Sequence, residues 1–321
     1  QKGKHMYKHE LLILEQSTCD VNIIYWILKG KGYEYQLFNL KLFSPHFIHS
    51  SLKDLNGISR PFENNEILSV IFNTNIEKIM TNKIKDINSY IKDNIKYFPV
   101  CFWIDAYYCD WTPFYNSVHF SHYMQIVELD DVNMMYNCLD IYYPSKGIIK
   151  LKYEFISNKA SWVECIHLGK KLDDACTKAI HYLQKSIENI NLKKYDEEKI
   201  ELMSKIISFS SSKYLNHAEL ESSILILTLK WISEDKLNFI KGLKYLDSKL
   251  SYPLFNDLNL HLMIASEETM KLKNIIIKYL MTNFINLEKT SKIIDKIYKE
   301  NYIANQLLNS KLRIATMERL I

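Results

Sequence analysis

Pro99-Val100-Cys101-Phe102-Trp103-Ile104-Asp105 opens the stretch, ending at Pro144, whose reading decides the fold. Five consecutive apolar residues bounded by proline and aspartate predict a buried strand. A tyrosine- and tryptophan-rich segment follows to Ser117. Val118 to Glu128 then reads as a second strand carrying His119 and His122, and Met134 to Ile141 as a third, ending near Asp140. Asp130-Asp131 reads as the hairpin turn between the last two. A histidine and a later aspartate on adjacent strands are the orienting half of a cysteine-histidine-aspartate site, and Cys19, beside a helix start, is the candidate for the other half.

Around Cys19, Val21, Ile24, Tyr25 and Leu28 recur at helical spacing, with Gly30 and Gly32 as stop signals. Ser17 or Thr18 can cap this helix, which places the Cys19 thiol in its first turn. Unpaired amides and the helix dipole there favour a thiolate. The other cysteines, at 101, 109, 138, 165 and 176, form no Cys-x-x-Cys and no zinc-knuckle spacing. Cys101, Cys138 and Cys176 read as packing residues, whereas Cys109 sits in the Tyr-Tyr-Cys-Asp-Trp segment beside the expected site.

Upstream, Tyr33 to Phe43 reads as a loop or short strand and Ser44 to Pro61 as irregular. From Glu63 to Ile95 the apolar spacing predicts helices, through Ile67, Val70, Ile71, Ile76, Ile79 and Met80 and on to Ile91. Ile148 to Phe155 reads as a further strand. Beyond about Leu168 helical periodicity dominates, with helices expected at 173–190, 197–210, 217–232, 235–249, 266–284, 288–299 and 301–318. His181, His217 and His261 are isolated there and read as structural. The expected organisation is an α+β catalytic domain over 7–168 with a central antiparallel sheet, then an all-helical domain over 169–321. Residues 1–6 read as an expression-tag remnant.

A chain of 321 residues carries a large core. Only 7 glycines disfavour a glycine-rich nucleotide fold. The net charge of +4 is spread over lysines interleaved with glutamate, asparagine and isoleucine, which predicts solvated helix faces and no nucleic-acid partner. No long apolar run or secretory signal pattern is present, so no membrane association and a cytoplasmic location are expected.

Cys19 ahead of a helix, Asp105 closing a strand, Asp110-Trp111 with Pro113 and Tyr115, the His119-x-x-His122 pair and Asp140 together resemble the butirosin biosynthesis acyltransferase family. Its amino-terminal domain is papain-like and related to bacteriocin-processing cysteine peptidases. The resemblance covers roughly 8–165 and the remainder by architecture only. It implies a papain-like fold, and transfer of an acyl group from a carrier-protein phosphopantetheine thioester to an amine, with no bound cofactor or metal. Composition and layout look more narrowly like the cysteine-protease homologues that form amide bonds in thiotemplated, non-ribosomal closthioamide biosynthesis. That likeness implies a para-hydroxybenzoyl chain extended by β-alanine units as donor and diaminopropane as acceptor.

Carried over residue by residue, the resemblance implies Cys19 as nucleophile, His122 as general base and acid, and Asp140 as orienting carboxylate. Papain-like peptidases have a glutamine six residues before the cysteine; here that position is Ile13. Gln16 is therefore an alternative oxyanion donor, beside the Cys19 amide. Tyr107, Trp111 and Tyr115 read as an aromatic acyl wall or as a loop pinned to the core. Asp105 and Asp110 read as ammonium ligands or as caps. Residues three apart on a strand face opposite ways, so one of His119 and His122 faces Cys19, and His122 is favoured. A hydrolytic peptidase or thioesterase with the same residues, and a binding protein with a vestigial triad, are the competing classes. The helical domain either closes over the cleft or forms a homodimer.

Overall fold

The computed structural model describes residues 19–42, 65–112, 114–117, 119–141, 147–188, 194–209, 224–250 and 253–317. Within them the chain divides into two units. Residues 19–35 and 65–173 form an α+β unit, and residues 36–42 join 174–317 in a helical unit. The expected boundary near 168 therefore lies close to the second break, but it misses the short segment that joins the helices. Tyr35–Leu42 is a 3₁₀ helix, where a loop or strand was expected. Its Asn39 and Leu40 lie against Gly242 so closely that a Cβ there would stand 2.9 Å from Leu40.

Six strands form one antiparallel sheet in the α+β unit: β1 (Thr74–Met80), β2 (Val100–Asp105), β3 (Ser121–Asp130), β4 (Met135–Leu139), β5 (Ile148–Lys152) and β6 (Ala160–Leu168). Their order across the sheet is β1-β6-β2-β3-β4-β5. Val100 to Ile104 are all buried, because β2 lies between β6 and β3 with both faces covered.

Two strands of the sheet are not those read from the sequence. Residues 74–80 are a strand where helix was expected, and β6 was not anticipated at all. The spacing of Ile76, Ile79 and Met80 fits a helix locally, but pairing Thr74↔Leu168 through Met80↔Trp162 holds the segment extended. At this pair's end the backbones nearly touch: a Cβ on Gly169 would lie 2.2 Å from the Asn73 carbonyl oxygen, so only glycine fits. β6 carries Glu164, which is 1% exposed. Its carboxylate accepts from Trp103 Nε1 at 2.9 Å and Tyr123 Oη at 2.8 Å, while Lys78 Nζ stands 3.6 Å away. Long-range donors thus satisfy a charge that, in sequence, marks a surface.

Helices α1 (Cys19–Gly30), α2 (Asn65–Phe72), α3 (Ile87–Asn94) and α4 (Tyr153–Lys159) complete the unit. The expected strand 148–155 ends at Lys152, and Tyr153 to Phe155 begin α4 instead. Asp86 caps α3, its Oδ1 accepting from Asn88 N at 3.0 Å and Ser89 N at 3.1 Å. Ile87, Ile91, Tyr153 and Ile156 from α3 and α4 share one buried cluster with Val100, Phe102, Ile104, Met124, Ile126 and Cys138 from the sheet.

The helical unit contains α5 (Ala175–Glu188), α6 (Lys194–Phe209), α7 (Ile224–Asp247), α8 (Asn256–Thr282) and α9 (Leu287–Met317). Breaks expected within 217–249 and 288–318 are absent from the described parts of those ranges, where α7 and α9 each run through. Leu202, Leu229, Leu272 and Ile297 lie in a buried cluster spanning α6 to α9. Ser233 and Ser266 pair hydroxyls at 2.7 Å between α7 and α8, and Lys296 of α9 reaches Glu268 of α8 at 2.7 Å. Among the described residues no helix is long and apolar enough to cross a membrane.

Candidate active site

The hairpin of β3 and β4 turns where expected. Asp130 accepts from Asn133 N at 3.1 Å, and Met134 takes φ 54° to close the turn. Asp131 fastens the turn to the neighbouring helices through Lys92 Nζ at 2.7 Å and Tyr153 Oη at 2.8 Å. β3 begins at Ser121, so His119 lies just before the strand, not on it as expected.

Register decides what the hairpin does with its two polar residues. Near the turn, Asp130 opposes Met135 and Glu128 opposes Asn137; farther along, Ile126 opposes Cys138 and Gln125 opposes Leu139. Val127 is therefore an inserted residue, a β-bulge. Opposed residues share a face and alternate residues share it along a strand. With the inserted residue, Asp140 falls level with Met124, on the face that carries His122. Were Val127 instead paired with Cys138 in an unbroken ladder, Asp140 would fall level with Gln125, on the opposite face.

His122 and Asp140, both fully buried, meet at 2.8 Å between Nε2 and Oδ2. The same Oδ2 accepts from Trp111 Nε1 at 2.6 Å. An indole nitrogen only donates, and an ionised carboxylate only accepts. Oδ2 therefore takes both bonds as an acceptor, Nε2 carries a proton, and Nδ1 is the nitrogen left for another partner. The Asp140 backbone is itself held, its N–H donating to Gly147 O at 2.7 Å.

Cys19 lies in α1, whose described part begins at that residue, and α1 packs on β3. The residues expected to cap the helix, Ser17 and Thr18, lie outside the described residues. Cys19 is 5% exposed. Burial pushes the His122 ring toward neutrality; the Asp140 charge and hydrogen bond, and the lesser hydrogen bond and charge of Cys19, outweigh it. The net result lifts the ring to about 10, so the imidazolium is favoured at neutral pH. A thiol, an imidazole and a carboxylate are the groups that acyl transfer through sulfur employs.

The remaining expected site residues divide. Trp111 joins the His122–Asp140 pair through its N–H, a contact its reading as an acyl wall did not anticipate. Asp105 is engaged at the end of β2: Oδ1 accepts from Tyr107 N and Phe120 N, both at 3.0 Å, and Oδ2 meets His119 Nδ1 at 2.6 Å. Tyr107 stacks on His119 with centroids 4.3 Å apart. Asp110 and Tyr115 are exposed. Gln16 lies outside the described residues. Cys109 is buried, with burial and the charges of Asp140, Asp105 and Asp110 pushing its thiol up to about 12, so it stays a neutral packing group.

No protein-family model and no curated protein matches the chain.

Proposed function

We propose that the chain is a cysteine-dependent acyltransferase that forms amide bonds, built on a papain-like catalytic fold. The observation that carries this reading is the His122 ring, fully buried, with Asp140 on Nε2 and Cys19 near enough to help raise its pKa. The Cys19 thiolate attacks the carbonyl carbon of a carrier-bound phosphopantetheine thioester. Collapse of the tetrahedral adduct breaks the old carbon–sulfur bond, and the departing carrier thiol takes its proton from the His122 imidazolium. A neutral amine then attacks the acyl-enzyme and gives a proton to His122. Collapse releases the amide and regenerates the Cys19 thiolate. The thioester supplies the activation, so the reaction uses no nucleotide and no metal.

The partner is an acyl or peptidyl carrier protein and the acceptor a small amine. The narrower proposal, resting on sequence resemblance, is a para-hydroxybenzoyl-oligo-β-alanyl donor and diaminopropane in closthioamide assembly. The oxyanion donors in this proposal are the Cys19 backbone amide and a neighbour, Gln16 being the side-chain candidate.

Intact-protein mass after incubation with an authentic carrier-bound thioester tests the reading. An adduct on the parent and none on Cys19→Ala, discharged as an amide when diamine is added, supports transfer. Discharge to the free acid with or without amine moves the assignment to a peptidase or thioesterase. Equal masses in parent and variant eliminate Cys19 as the nucleophile and favour a binding protein.

A further inference from the structure

We infer that Trp111 is a positioning residue for the acyl-transfer centre: its indole N–H fixes Asp140 Oδ2 against His122 Nε2 and thereby orients the His122 ring. The inference rests on the acyltransferase reading and adds a component to it.

Asp140 lies one residue beyond β4, so the strand ladder does not itself hold its side chain. The indole adds a restraint. Trp111 Nε1 and His122 Nε2 converge on one oxygen at 2.6 and 2.8 Å, which sets the carboxylate's rotation as well as its position. Donation from the neutral indole stabilises the fully buried carboxylate without adding a charge of its own.

The segment that carries Trp111 is built to hold it. Thr112 N and Oγ1 both bond Cys109 O at 3.0 Å, and Oγ1 also reaches Ala106 O at 3.3 Å. Cys109 N bonds Ala106 O at 3.0 Å. Asp105 ties the start of this segment to Phe120, two residues before His122. The indole ring packs against Phe155 at a centroid distance of 6.1 Å. The loop is thus anchored at both sides of the tryptophan, and its one polar atom is spent on Asp140.

Trp111→Phe keeps an aromatic ring and removes the donor. The test measures the alkylation rate of Cys19 by iodoacetamide, followed on the Cys19 peptide, against pH for the full chain, with Cys19→Ala as the blank. The parent profile is expected to carry a limb near pH 10, where His122 gives up its proton. In Trp111→Phe that limb moves to lower pH by about one unit as Asp140 loses its grip on the ring. A merely structural tryptophan lowers amplitude and leaves the limb where it is; a coincident limb overturns the inference while leaving the acyltransferase reading in place. A parent whose Cys19 alkylation is unchanged by His122→Ala removes that reading itself. If Trp111→Phe does not fold, the parent's Trp111 indole proton resonance decides: it is expected downfield, displaced by Asp140→Asn, and an unmoved resonance overturns the inference.

Discussion

Val127 and Asp140 are linked through the strand register: because β3 leaves Val127 unpaired, Asp140 falls on the face that carries His122. A side-chain alternation of two makes this an all-or-none effect. Deleting Val127 removes only the unpaired residue: Glu128 still opposes Asn137 and Ile126 still opposes Cys138, so Asp140 stays level with Met124 on the His122 face. The expected outcome is a folded protein by circular dichroism whose Cys19 alkylation profile matches the parent's. A profile like that of Asp140→Ala contradicts this account of the register.

The two histidines differ in setting and separate by substitution. His122 is fully buried on Asp140, whereas the His119 side chain is 59% exposed on Asp105. His119→Ala is expected to leave thioester labelling of Cys19 within about threefold and stability within about 1 kcal/mol, as befits an exposed ion pair. His122→Ala abolishes labelling. The reverse pattern in the mass assay reassigns the base to His119.

His122 gives stability a definite pH dependence. Its folded value of about 10 lies above the unfolded value of about 6.5, so the folded state holds a proton that the unfolded chain releases. The contribution is complete below about pH 6.5, declines as pH rises, and is gone above about 10. Urea denaturation of the parent between these limits is expected to show falling stability. In His122→Gln that component flattens, and an unchanged slope assigns the effect to another group.

Glu164 is a structural charge whose donors outlive its removal. Glu164→Ala leaves the Trp103 N–H and Tyr123 O–H buried without their acceptor. The expected cost is about 3 kcal/mol, read from the urea midpoint. Glu164→Gln retains an acceptor oxygen and is expected to cost less than half as much. Equal losses in the two variants show that packing, not hydrogen bonding, sets the value.

Much of the α+β unit is legible in local pattern. The apolar run at β2, the Asp-Asp turn and the helix that contains Cys19 each carry their signal within a few residues. β1 and β6 do not. Ile76, Ile79 and Met80 satisfy a helical period as well as a strand, and only pairing with β6 separates the two. Glu164 disguises β6 because its partners, Trp103 and Tyr123, are 61 and 41 residues away in sequence. In the helical unit the periodicity places the helices but not their ends. Lys and Glu on outer faces look alike in mid-helix and at a break, so α7 and α9 read as shorter pieces.

The same division runs through the candidate site. Sequence alone determined its ingredients: a cysteine on a helix, a histidine on one arm of a hairpin, an aspartate at the end of the other. Tertiary structure decided whether they meet. Leaving Val127 unpaired sets the face of Asp140, and nothing in the residue type marks it as the unpaired one. Trp111 presents a donor to Asp140 only because Thr112, Asp105 and Phe155 hold its loop and ring. A side chain's identity is a local property, but the direction in which it points depends on register and on anchors far away in the chain.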